Sequence, residues 1–86
     1  MTHLERVKPL ERVPTSTLIA DQLREAIMSG DIDQGDQVGE AQLAEQLGVS
    51  RGPLREAMQR LVQEGLLDSI PHRGLFVATL SEEDIR

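Results

Sequence analysis

The sequence predicts a small domain of the α+β class, mainly α, in which three helices precede a β-ribbon of two or three strands. Two observations predict this class. Apolar residues recur at helical spacing in three segments, each closed by a glycine, and two short strand-like runs follow the last segment. With 86 residues, 38% of them hydrophobic and a single phenylalanine, the chain has room for one modest core of aliphatic side chains.

The first helix is predicted to begin after Pro14. Residues 1–13 show no sustained period and are expected to form a flexible N-terminal arm. The hydroxyl residues at 15–17 are expected to cap the free amides of the first helical turn. Leu18 is expected in the core, or at an exposed edge that serves a dimer or interdomain contact. One buried stripe follows, and Ser29-Gly30 closes the helix after it: Ile19, Leu23, Ala26 and Ile27.

The next segment holds one short strand and a second helix. Residues 31–39 are rich in turn residues, and Val38 is expected to be the inward residue of the strand. The helix is predicted from about Glu40 to Leu47, and Gly48 is expected to end it in a left-handed conformation. Three residues should face inward: Leu43, Ala44 and Leu47.

The third helix is predicted to follow a Ser50 cap and to reach Glu64. Pro53 lies in its first turn, where the missing amide breaks no helical hydrogen bond. Arg60 and Glu64, four residues apart, are predicted to form an ion pair within the helix. The buried stripe consists of four residues: Leu54, Ala57, Met58 and Leu61.

A hairpin is predicted after Gly65. The strand-like runs 66–70 and 75–80 flank residues 71–74, which have the composition of a hairpin tip. The folded domain is therefore expected to span residues 14–80. Residues 81–86 begin with a capping-box pattern and are expected to start a linker or a further helix.

The second and third helices together have the pattern of a helix-turn-helix, and the hairpin adds a wing. Ala44 is small where the helices cross, and Gly48 forms the turn. At 100° per residue, Arg51, Arg55 and Gln59 lie one turn apart on the outward face of the third helix. Arginine can bind guanine or phosphate with two parallel hydrogen bonds, so this face is predicted to bind DNA.

Five further residues are predicted to support that contact. Ser50 offers a hydroxyl at the positive end of the helix dipole, and Gly52 lets the backbone approach a phosphate or base closely. At the wing tip, His72, Arg73 and Gly74 are suited to a neighbouring minor groove or phosphate backbone. Solvated arginines on a helix face are the ordinary alternative, and the complete helix-turn-helix context favours DNA.

Charge is distributed unevenly along the chain, whose net charge is −6. Residues 13–49 hold seven acids against one arginine, whereas residues 50–80 hold four arginines against three acids. An anion-binding surface is therefore expected within residues 50–76. The acidic total argues against indiscriminate binding to nucleic acids. It mildly favours an alternative function, in which the winged helix docks onto another protein.

Other classes of function find little support in the sequence. The absence of cysteine excludes disulfides and thiolate metal sites, and it fits a cytoplasmic location. No membrane-spanning run, nucleophile–base pair or phosphate-binding glycine loop is evident. We therefore expect no enzyme activity, cofactor or metal.

One run of residues resembles the GntR family of bacterial transcriptional regulators over about residues 14–80: Gly48-Val-Ser-Arg-Gly-Pro-Leu-Arg-Glu-Ala57, followed by Arg60-Leu61, Glu64-Gly65-Leu66 and Arg73-Gly74. The Arg55-Glu56-Ala57 version and the segment 81–85 resemble the FadR-like branch, in which an all-helical effector-binding domain follows the DNA-binding one. The resemblance implies a dimeric, ligand-responsive regulator, often a repressor, that binds an inverted repeat in operator DNA. It also implies a set of DNA contacts: Ser50, Arg51, Gly52, Pro53, Arg55, Arg73 and Gly74.

Overall fold

The computed structural model describes residue 7 and residues 13–79. Its elements, in chain order, are α1 (Thr15–Ser29), β1 (Gln37–Val38), α2 (Glu40–Leu47), α3 (Arg51–Gln63), β2 (Leu67–Ile70) and β3 (Gly74–Val77). The predicted class, three helices with a β-wing, is confirmed. Two expectations concern residues outside the described part of the chain. They are the flexible arm, apart from residues 7 and 13, and the linker or helix expected at residues 81–86. Within the described part of the chain, no helix has the length and apolarity needed to cross a membrane.

The sheet has three antiparallel strands in the order β1-β3-β2. In the hairpin, Leu67 pairs with Val77 and Ile70 pairs with Gly74. The short strand predicted around Val38 joins the other edge of β3, where Val38 pairs with Leu75. The wing is therefore tied to the segment that leads directly into α2.

The core lies between the three helices and one face of the sheet. The buried stripe predicted for α3 is confirmed at all four positions, each at most 1% exposed. In α1, Ile19 and Leu23 are buried as predicted, but Ala20 rather than Ala26 lies fully in the core. The expectation of a buried Leu18 is wrong: its position is 100° around the helix from Ile19, and its side chain is 55% exposed.

Both α2 and α3 end as their glycines predict. Gly48 takes φ +68° and its amide donates to the Glu45 carbonyl, while the Val49 amide donates to the Ala44 carbonyl. The same pair of hydrogen bonds recurs around Gly65 at the end of α3. This arrangement satisfies the last carbonyls of each helix and fixes the direction in which the chain leaves it.

The hydroxyl cap predicted for α1 is wrong. The helix begins after Pro14, whose carbonyl accepts from the Thr17 amide at 2.9 Å, and no side chain caps this end. The hydroxyls of residues 16 and 17 point to α3 instead. Ser16 Oγ donates to Glu56 Oε1 at 3.1 Å, and Arg60 Nη1 donates to Thr17 Oγ1 at 3.1 Å. A buried polar group needs such a partner, and Ser16 is buried.

The predicted Arg60–Glu64 ion pair is also wrong. Glu64 accepts two hydrogen bonds from Arg24 of α1, from Nε at 2.8 Å and from Nη2 at 2.7 Å. Arg60 instead pairs with Glu56, one turn earlier, at 3.8 Å. A planar guanidinium binds a carboxylate best with two parallel hydrogen bonds, which Arg24 can make across the helix–helix contact. We call this set of polar side chains the α1–α3 seam: Ser16, Thr17, Arg24, Glu56, Arg60 and Glu64.

Candidate nucleic-acid interface

The turn between α2 and α3 sets the direction of α3. Gly48 reverses the chain in a left-handed conformation, and the half-buried Val49 packs this turn against the core. Ser50 then stands at the helix cap position in an extended conformation (φ −76°, ψ 164°). Ala44 of α2 and Ala57 of α3 are both buried. The start of α3 thus has one face on the core and the other in solvent.

Arg51 and Arg55 lie on the solvent face of α3. Their side chains are 60% and 65% exposed, and Gln59, one turn further on, is exposed as well. Leu54 and Ala57, on the opposite face, are fully buried. The predicted outward orientation is therefore present, and we call Arg51 and Arg55 the arginine row.

Glu40, the first residue of α2, lies directly against the arginine row. Arg55 Nε donates to Glu40 Oε2 at 2.9 Å, and Arg51 Nε lies 3.9 Å from Glu40 Oε1. The hydrogen bond from Arg55 lowers the pKa of Glu40, and the same bond raises the pKa of Arg55. At pH 7 the carboxylate is therefore charged, and this face carries two positive charges and one negative charge.

The sequence analysis missed this role of Glu40. The residue precedes Arg51 by 11 positions and Arg55 by 15, so no helical spacing connects them. The crossing of α2 over α3 brings them together. An acid in the first turn of the second helix was the only available signal, and by itself it indicates nothing more than a favourable helix dipole.

Of the other residues predicted at the start of α3, Ser50 and Gly52 are exposed, as the arginine row is. The Ser50 side chain makes no capping hydrogen bond, so its hydroxyl is available to a ligand. A side chain built onto Gly52 would meet nothing within 4 Å. Pro53 is half-buried in the first turn. The geometry leaves open space in front of the Gly52 backbone, as a close approach by DNA would require.

The wing tip is held by β1. The Gln37 side-chain amide donates to the Arg73 carbonyl at 2.9 Å, a contact that the sequence analysis also missed. His72 adopts φ +63°, and Gly74 adopts φ +115°. A Cβ placed on Gly74 would lie only 3.0 Å from Gln37 Nε2. A side chain at Gly74 would be strained by this backbone conformation, and it would force the Gln37 amide, which holds the Arg73 carbonyl, to shift.

The structure places the wing-tip residues and the arginine row on different elements. His72, Arg73 and Gly74 are exposed, as are Arg51 and Arg55. Among residues 13–79, no hydrogen bond or ion pair connects the tip to α3. The two groups of predicted contacts are therefore joined by no polar contact among the described residues.

Comparison with known proteins adds three findings. The family model "Bacterial regulatory proteins, gntR family" matches residues 15–77. The chain is 37% identical over 78 residues to the gluconate operon transcriptional repressor of Bacillus licheniformis, covering 91% of this chain and 32% of the repressor. It spans about a third of the length of the curated relatives it matches.

Solved structures have the same fold. A GntR family transcriptional regulator from Pseudomonas syringae pv. tomato matches 94% of this chain and 35% of its own, with a TM-score of 0.73 and 38% identity. The crystal structure of AraR(DBD) in complex with operator ORE1 matches 81% of this chain and 90% of its own, with a TM-score of 0.73 and 34% identity.

Proposed function

Since the chain belongs to the gntR family of bacterial regulatory proteins, we propose that it is the DNA-binding part of a transcriptional regulator. One observation carries the proposal: an exposed arginine row stands on the solvent face at the start of the helix that follows the α2–α3 turn. The structural match to AraR(DBD) bound to an operator supports the same function.

In this proposal α3 enters the major groove with its first two turns. Arg51 and Arg55 contact base edges and phosphates, since a guanidinium can donate two hydrogen bonds to guanine or to a phosphate. The Ser50 hydroxyl and the amide of Gly52 contact the backbone at the positive end of the helix. Gln59 extends the same face and offers an amide suited to adenine. Pro53 contributes mainly by fixing the first turn.

The wing provides the second group of contacts. Arg73, with His72 and Gly74 beside it, reaches the flanking groove or the phosphate backbone. The Gln37 amide, by holding the Arg73 carbonyl, sets the position of the tip before DNA arrives. Such ordering in advance lowers the entropic cost of binding.

We assign the whole regulator by analogy with its relatives. In this proposal it is a cytoplasmic homodimer of the FadR-like branch, with a C-terminal effector-binding domain that controls binding to an inverted repeat. Repression is the proposed outcome, since the similar Bacillus licheniformis protein is a gluconate operon repressor. Two domains held together bind more tightly than one, because the second contact then forms at high effective concentration.

Selection of bound duplexes from a random pool, followed by titration at several salt concentrations, tests the proposal. With about three to five phosphate contacts per domain, log K should fall against log salt with a slope near −3 to −4. Affinity that is indifferent to salt would contradict the arginine row as the contact surface. Failure to bind any duplex at low salt would favour the protein-docking alternative.

A further inference from the structure

We propose that Glu40 is a specificity-determining residue: its carboxylate positions Arg55 for base contact and weakens binding to DNA of arbitrary sequence. The inference rests on the proposed function and concerns the same surface. Glu40 is not among the predicted DNA contacts. Its side chain is negatively charged, as the phosphates of DNA are, and so it repels them.

Glu40 holds Arg55 by a single side-chain hydrogen bond. The bond is made by Nε, at 2.9 Å, and no hydrogen bond to the described residues occupies the two terminal nitrogens of Arg55. Arg24 differs, because its Nε and both terminal nitrogens are bonded to Glu64 and Asp21. Glu40 thus fixes the stem of the Arg55 guanidinium and leaves the end that can bind guanine with two parallel hydrogen bonds.

The negative charge of Glu40 lies close to both arginines of the row. Glu40 Oε1 is also 3.9 Å from Arg51 Nε, so one carboxylate acts on both members of the arginine row. Binding to arbitrary DNA depends on the number of phosphates neutralised, and a carboxylate at this position opposes it. A base contact by Arg55 suffers less, because the hydrogen bond to Glu40 already restricts the rotation of its side chain. Glu40 should therefore raise the ratio of specific to non-specific affinity.

The test compares Glu40→Gln with the unchanged 86-residue chain on two fluorescent duplexes, one of random sequence and one selected by the unchanged chain. Glutamine keeps the size of the side chain and removes its charge. We expect Glu40→Gln to bind the random duplex about five-fold more tightly at low salt. The slope of log K against log salt should steepen by about 0.9, as for one additional phosphate contact. The ratio of selected to random affinity should fall.

Glu45→Gln is the matched control. Glu45 is an exposed residue of the same helix and forms no ion pair with the residues that the structure describes. The same loss of charge at this position should leave the salt slope unchanged. Glu40→Ala provides a second variant in case Glu40→Gln alters the melting midpoint.

A third variant tests whether Glu40 acts through Arg55. In an Arg55→Gln background, the gain on random DNA from Glu40→Gln should shrink, since only Arg51 is left to be released. An undiminished gain, or equal behaviour of Glu40→Gln and Glu45→Gln, would overturn the inference. If the unchanged chain binds neither duplex at low salt, the proposed function fails as well. Binding by the unchanged chain without the Glu40 effect removes this inference alone.

Discussion

Helix α3 carries two polar stripes with the same i, i+4, i+8 spacing, and the fold uses them differently. One stripe consists of Arg51, Arg55 and Gln59, and the other consists of Glu56, Arg60 and Glu64. They lie about 140° apart around the helix, because equivalent members are five residues apart. The second stripe belongs to the α1–α3 seam, where α1 supplies partners for all three side chains. The first stripe faces solvent, and among the described residues Glu40 alone forms ion pairs with it.

The difference shows that spacing alone does not indicate whether a charged stripe supports the fold or binds a ligand. A charged stripe supports the fold when another helix packs against it and supplies partners for its side chains. Arg24 lies opposite Glu64 and forms two hydrogen bonds with it, whereas the arginine row retains donors that no described residue accepts. The two acids of the second stripe, with Arg60 between them, therefore lie toward α1, away from the proposed DNA surface.

Arg55→Ala should show the largest difference between the two stripes, because it should lower DNA affinity and leave stability nearly unchanged. We expect affinity for a selected duplex to fall by about 5- to 150-fold, because a base or phosphate contact is lost. The melting midpoint should stay nearly unchanged, since the side chain is 65% exposed. Fluorescence anisotropy and thermal circular dichroism measure the two quantities.

Arg60→Ala is the matched control on the other stripe. It should lower the melting midpoint, through loss of the Thr17 and Glu56 contacts, and leave affinity within about two-fold. If Arg60→Ala lost as much affinity as Arg55→Ala, the proposed division between the stripes would be wrong.

Arg24→Ala should have the next largest effect, on stability alone. The substitution removes both hydrogen bonds to Glu64, and we expect the melting midpoint to fall by about 2–5 °C. DNA affinity should not change. Arg51→Ala is the comparison, because its nearest carboxylate is 3.9 Å away; its midpoint should move less. If Arg24→Ala and Arg51→Ala lowered the melting midpoint equally, the hydrogen bonds of the α1–α3 seam would not stabilise the fold more than an exposed ion pair does.

Acid should weaken the seam through Glu64. The hydrogen bonds from Arg24 lower the pKa of Glu64 from its ordinary value of 4.5. The resulting stabilisation is present above pH 4.5 and is lost as the pH falls through the lower folded-state pKa. Glu64→Gln should therefore show a shallower decline of the melting midpoint below pH 4.5 than the unchanged chain.

Glu40→Gln should also make the decline of the melting midpoint below pH 4.5 shallower, but by less than Glu64→Gln. Its pKa is also lowered, but Glu40 accepts one hydrogen bond where Glu64 accepts two. Glu25→Gln, which removes an exposed acid of α1, is the control. A steeper decline in Glu64→Gln than in the unchanged chain would contradict the assigned direction.

Local pattern was sufficient to predict the elements. The buried stripe of α3, the ends of α2 and the strand at Val38 all follow from periodicity and glycine positions. The polar partners could not be found in this way. Arg24 and Glu64 are 40 residues apart, and Glu40 and Arg55 are 15 apart, so only the packing of the helices brings them together.

The same reason explains the wrong Arg60–Glu64 pair. Spacing of i, i+4 permits the contact, but Arg24 offers Glu64 two parallel hydrogen bonds from another helix. The wing contact of Gln37 was missed for a similar reason, since its partner Arg73 lies 36 residues later. The predicted DNA contacts themselves stay predictions, and the structure supplies the exposure that they require.

The most direct test of the central claim follows the arginine Nε–H signals by NMR while a selected duplex is added. The account predicts that the signals of Arg51 and Arg55 shift or broaden, while those of Arg24 and Arg60 stay in place. Shifts confined to Arg24 and Arg60, or no change at Arg51 and Arg55 once the duplex is bound, would contradict it.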